Sequence, residues 1–199
     1  MIEMPERIAK LPRDSRGYPI PYNIVRGNDG TPMFTINDSR KHMECLLGNL
    51  CPLCGEVLGR WKWFVGGPLS AFHPKGAYID LPGHSQCERF ALQTCPYLAA
   101  PRYLGRVDVI HGEKLPPSTV LVDDTMIPER PEFFVAVASR HVEIQADPES
   151  PLLPYVRPVR PLLGYEFWQH GKKIPTHRAM PILRGIFGAD WELPKTEEA

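Results

Sequence analysis

The chain has 199 residues, with 23 basic against 23 acidic side chains and 43% hydrophobic residues, a length that supports one sizeable core or two small ones. The balanced charge excludes a global basic field that would draw in nucleic acid, and no apolar run approaches the length of a membrane span. The opening MIEMPERIAKLPR lacks the apolar core of a signal peptide, and the 5 cysteines are an odd number that includes a metal-like pair, so the expectation is a cytoplasmic protein with no membrane partner.

Proline is frequent, 23 residues in all, which predicts short elements joined by extended connections. Residues 1 to 22 read as an extended arm ending in Gly17-Tyr18-Pro19-Ile20-Pro21. Asn23 to Arg26 and Thr31 to Asn37 flank Gly27-Asn28-Asp29-Gly30, a turn composition that predicts a hairpin. Asp38 or Ser39 is placed to cap a helix running to Leu47 and ended by Gly48-Asn49.

That helix hands the chain to Cys51-Pro52-Leu53-Cys54-Gly55. Two thiols separated by two residues hold one metal ion only where the backbone turns tightly; Pro52 fixes φ and Gly55 tolerates the turn. Downstream, His84 and Cys87 stand three apart at the front of HSQCERFALQTCPYLA, whose apolar or sulfur-bearing positions 87, 90, 91, 95 and 98 follow helical spacing. Both side chains then share one face of the first turn, where the positive helix end favours a thiolate. Between the pairs, WKWFVGG and LSAFHP are read as a β-hairpin broken at Gly66-Gly67-Pro68. Cys95, about 12 Å along a continuous helix from Cys87, is too far to share the ion, and it and Cys45 are read as buried residues.

Knuckle, hairpin, then helix with the second ligand pair resembles the treble-clef zinc fingers over residues 51 to 99. The resemblance is one of architecture; treble clefs host many unrelated functions. It implies Cys51, Cys54, His84 and Cys87 as ligands of a structural Zn²⁺, with His84 in place of the commoner fourth cysteine. Four protein ligands close the coordination sphere, which suits a structural ion better than one that activates water.

Beyond the finger, Val107 to Ile110 and Val120 to Val122 read as strands, and Glu132 to Ile144 gives a strong strand signal with both faces covered. Residues 151 to 161 are extended because proline recurs every three or four positions. Gly164 to Trp168 and Lys172 to Ile174 flank His170-Gly171 as a second hairpin, a short helix is expected after Pro181, and the acidic tail is expected to fray. The fold class expected is α+β: a zinc-containing region over residues 1 to 105 and a β-rich region over 106 to 199, packed as one unit.

The expected hairpin of the finger carries the most suggestive surface. Arg60, Trp61, Lys62, Trp63 and Phe64, with Phe72, His73, Lys75 and Tyr78 opposite, mix cations with flat rings, as single-strand binding requires. Alternation along a strand makes the tryptophans core candidates and leaves Arg60, Lys62 and Lys75 as partner-binding candidates. A hydrolytic alternative resembling the His-Me finger nucleases assigns His73 as base and Asp80 as metal ligand. His42-x-Glu44 ahead of the cysteine pair is too close to it to form a deaminase site, and Arg157-Pro158-Val159-Arg160-Pro161 reads as a connector rather than a polyproline ligand. No dinucleotide or phosphate-binding glycine motif is present, so no small-molecule cofactor is expected. The function read from these residues is non-enzymatic binding of a protein or of nucleic acid through weak local contacts.

Overall fold

A computed structural model describes residues 2–100, 130–145 and 154–197. The expected strands at 107 to 110 and 120 to 122 lie outside the described residues.

The described chain is mixed α+β. In order, it forms α1 (Glu6–Ala9), β1 (Ile24–Arg26), β2 (Pro32–Asn37), α2 (Ser39–Gly48), β3 (Lys62–Gly66), α3 (Pro68–Phe72), α4 (Ser85–Thr94) and α5 (Pro96–Ala99). These are followed by β4 (Phe134–Ser139), β5 (Val142–Gln145), β6 (Tyr155–Pro158), β7 (Gly164–Gln169), β8 (Lys172–Ile174) and α6 (Thr176–Phe187).

The central sheet has 4 antiparallel strands in the order β3-β4-β7-β8, and the pairs β1-β2 and β5-β6 form two small ribbons. All of β4 is buried, as its unbroken apolar run predicts. On one face of the sheet, Val135, Val137 and Phe167 pack with Phe72, Leu162, Ala179 and Leu183. On the other, Phe134, Ala136 and Trp168 pack with Leu92 of α4 and with Trp63, Val65 and Leu98. Burying side chains of this size contributes about 1.5–3 kcal/mol each.

The hairpin expected between Trp61 and Pro74 does not form. β3 pairs instead with β4, Phe64 facing Val137 in register, and Pro68 to Phe72 are helical. Gly67 is the N-cap and Pro68 the first helical residue, a position where the fixed φ of proline and its missing N–H suit a helix start. Gly66 is required for packing as well: a Cβ there would lie 2.7 Å from the Tyr78 ring, which folds back over it.

Proline also reshapes the helices. The single helix expected from His84 to Ala99 is two, because Cys95 precedes Pro96 and is held extended at φ −66°, ψ 123°. Cys95 is therefore half-buried at a break, whereas Cys45 is buried in a helix as expected. In contrast, α6 begins five residues ahead of Pro181 and runs through it. Ala179 and Leu183, both fully buried, anchor that helix on the sheet strongly enough to override the local break. The β7–β8 connection is the expected two-residue hairpin, with His170 and Gly171 both at positive φ as a type I′ turn requires. The segment containing Arg157-Pro158 is strand β6, paired with β5. The tail holds its place as far as Glu197, whose N–H donates to the Leu162 carbonyl.

Candidate metal centre

The first ligand pair sits in a knuckle fixed by its own backbone. The Gly55 N–H donates to the Cys51 carbonyl at 2.8 Å and the Cys51 N–H to the Glu56 carbonyl at 2.8 Å. Gly55 turns the chain at φ +76°, with the Tyr22 ring so close that a Cβ would lie 2.7 Å from it. The arm ahead of β1 clamps the knuckle from outside: Tyr22 and Asn23 N–H groups donate to the carbonyls of Leu53 and Pro52.

The second pair is delivered by the sheet. Gly83 and Trp63 exchange backbone hydrogen bonds of 2.8 and 3.0 Å, which hang His84 on the free edge of β3. His84 is the N-cap of α4 and Cys87 lies in its first turn, as the helical spacing predicts. Gly83 has no room for a side chain, since a Cβ would run into the Glu88 carboxyl and approach Cys51 Sγ to 3.2 Å.

Folding brings the three sulfurs and the imidazole together, all four donor atoms lying within 4.8 Å of one another. His84 Nδ1 is 3.5 Å from Cys54 Sγ and 3.9 Å from Cys87 Sγ. Tetrahedral coordination with a metal–sulfur bond of about 2.3 Å and a metal–nitrogen bond of about 2.05 Å sets a sulfur-to-nitrogen edge of roughly 3.5 Å. The Cys54–His84 edge matches that value, and the Cys87–His84 edge is somewhat longer. His84 Nε2 lies 3.1 Å from the Val57 carbonyl, which accepts its proton and leaves Nδ1 as the bare nitrogen facing the sulfurs.

The sulfur side of the centre is apolar. Cys51 and Cys87 are fully buried in an apolar cluster with Ile8, Leu58 and Phe90, covered by Met4 and Leu11. Hydrogen bonding among the sulfurs, together with burial, divides their acidities. Sharing its proton with Cys54 pushes the Cys51 thiol up to about 12, and bonding to Cys51 raises Cys87 as well. Cys54, accepting from both, is lowered to about 2. A divalent cation at the centre reverses the first two shifts by replacing shared protons with metal bonds. These residues could hold a metal ion.

Burial, and then the charge of Asp80, raises the neighbouring Glu88 carboxyl well above its ordinary value. Sequence spacing gave no sign of Glu88 or of the Val57 carbonyl as neighbours of the centre, because both depend on how the knuckle meets α4.

The three partner-binding candidates are dispersed. The Arg60 guanidinium stands over the Trp61 ring at 5.9 Å. Lys62 is committed to the carbonyls of Gly59 and Arg140, and Lys75 is an exposed residue whose carbonyl accepts from Arg157. The tryptophans divide: Trp63 packs against the core, whereas Trp61 is 38% exposed. Of the hydrolytic pair, His73 Nδ1 accepts the Lys75 N–H at the end of α3, and Asp80 accepts from the Asn37 amide. Among the described residues neither joins a group of three metal-capable side chains.

Comparison of the chain with protein-family models, curated proteins and solved structures returned no significant match. No helix among the described residues is long and apolar enough to cross a membrane.

Proposed function

We propose that the chain is a non-enzymatic binding protein in which one structural Zn²⁺, held by Cys51, Cys54, His84 and Cys87, locks the knuckle to the first turn of α4. The observation that carries this reading is the convergence of four donors within 4.8 Å of one another, with one sulfur-to-nitrogen edge of 3.5 Å, beside a buried apolar cluster. Three thiolates and an imidazole leave no position for substrate and give the site a net charge near −1, a chemistry suited to holding structure. The ion cross-links segments that otherwise meet through the apolar cluster and the bond from His84 Nε2 to the Val57 carbonyl, so it fixes the adjoining surface around Arg60 and Trp61 where a partner is met.

Metal analysis of the purified protein tests this directly. One zinc per chain is expected, falling to none in Cys51→Ser and Cys87→Ser with loss of cooperative unfolding. Either variant keeping full stability without metal contradicts the reading.

A further inference from the structure

Beside the metal centre, an open groove of about 380 Å³ crosses the α4 face of the sheet. Its floor is Ala138 and Gly164, which are register partners on β4 and β7, and its walls include Trp61, Trp63, Arg89 and Lys173. The groove exists because two adjacent strands place their smallest side chains in one row: a Cβ added at Gly164 would meet no atom within 4 Å.

The charges in the groove decide what it accepts. Glu166 is buried, and its carboxylate is saturated: Arg89 donates through Nε at 3.1 Å and through a terminal nitrogen at 2.8 Å, Lys173 at 2.9 Å and Trp168 Nε1 at 3.1 Å. Burial alone would raise this carboxyl, but the bonds from Arg89 and Lys173 outweigh it and hold the group ionised below its ordinary value. The Trp63 face is taken by the protein's own Arg89, at 4.8 Å, whereas Arg60 and Arg140 only flank the Trp61 ring, at 5.9 and 6.0 Å from its centroid, and leave it 38% exposed. A cationic ligand therefore finds no free carboxylate, while the lining cations outnumber the lining carboxylate. Arg89 and Lys173 remain 42% and 58% exposed, so they are open to an anion. The rim already holds one: Glu197 of the tail pairs with Arg140 at 3.2 Å.

We infer that this groove binds single-stranded nucleic acid, one nucleotide seated between Trp61 and the Arg89–Lys173 pair. The volume suits one base with its phosphate, the exposed Trp61 ring offers the base a stacking surface, and Arg60 and Arg140 extend the positive track to neighbouring phosphates. The inference rests on the binding-protein reading above, naming its ligand. A duplex would not fit, because its bases are stacked away from Trp61.

The test is fluorescence anisotropy of a labelled ten-nucleotide oligothymidylate titrated with the zinc-loaded full chain. Saturable binding is expected, weakening with salt to a slope of about −2 in log affinity against log salt for roughly three phosphates. Trp61→Ala is expected to weaken it about tenfold or more. Gly164→Leu, which adds a side chain to the groove floor where a Cβ meets no atom within 4 Å, is expected to abolish it with the unfolding midpoint kept. Glu197→Gln, which frees Arg140, is expected to tighten it a few-fold. The inference is overturned by absence of binding at low salt, by binding indifferent to Trp61→Ala and Gly164→Leu, or by equal affinity for a duplex, free thymidine monophosphate or an oligoglutamate peptide. None of these outcomes alters the metal content, so failure here is separate from failure of the zinc reading.

Discussion

The ring of His84 is oriented by a backbone group rather than by a side chain: its Nε2 lies 3.1 Å from the Val57 carbonyl, and this bond turns Nδ1 toward Cys54 and Cys87. Val57 sits just past the knuckle, so the segment leaving Cys54 positions the ligand arriving from α4. The two halves of the centre are therefore coupled before any ion binds. His84→Ala is expected to lower zinc affinity at least a hundredfold and stability by roughly 3 kcal/mol or more, since ion binding and folding are linked. Competition against a chromophoric chelator, followed by thermal unfolding, measures both.

Acid should strip the metal and, with it, the stability the ion confers, because ion binding and folding are linked. Sharing its proton with Cys54 lifts the Cys51 thiol to about 12, so that proton binds tightly when the ion leaves. Protons and metal compete for the same sulfurs, and affinity falls as pH falls. Metal release followed against pH in a stopped-flow chelator assay should steepen with acidification; a flat profile between pH 8 and about 5 would contradict thiolate ligation.

His42 supplies a separate pH response. It is fully buried on α2, and among the described residues neither ring nitrogen has a hydrogen-bond partner. Burial depresses its pKa, with Asp80 opposing in part. The unfolded chain takes up a proton near pH 6.5 and the folded chain does so only lower, so stability is full above about 6.5 and declines as pH falls below it. His42→Leu should be neutral to stabilising, by up to about 1–2 kcal/mol, and should flatten that decline. Urea unfolding of the zinc-loaded forms at pH 7.5 and 5.5 gives the comparison.

Much of the centre was legible because its determinants are local. Cys51-Pro52-Leu53-Cys54-Gly55 carries its own turn chemistry, and His84 with Cys87 falls at helical spacing, so four donors found from sequence meet in space. The partner of β3 was not legible. Gly66-Gly67-Pro68 serves equally as a turn or as a helix start, and the strand that pairs with Lys62 to Gly66 lies about seventy residues downstream, beyond the reach of local pattern. The groove escaped for the same reason: Arg89, Glu166 and Lys173 occupy different elements, and nothing in the run around any one of them announces the others. The break at Cys95 was readable from Pro96, whereas α6 passing through Pro181 reflects tertiary packing prevailing over a local rule.

Glu166 ties β7 to α4 through Arg89 and to β8 through Lys173. Because its folded pKa is lowered, its stabilising contribution is present above about pH 4.5 and lost as pH falls through the folded value. Glu166→Gln should cost about 1–3 kcal/mol at pH 7, discounted for the partial exposure of both cations, and the difference from wild type should vanish in strong acid. Chemical unfolding of both forms across pH 3 to 7 checks the magnitude and the sign.

The measurement that bears most directly on the metal centre is native mass spectrometry of the full chain, before and after treatment with a strong chelator, paired with circular dichroism melting of the same samples. The account predicts a mass increase of one zinc ion less the thiol protons it displaces, and a large drop in melting temperature on its removal that is restored by one equivalent of Zn²⁺. A chain that carries no metal, and melts at the same temperature with chelator as with zinc, contradicts it.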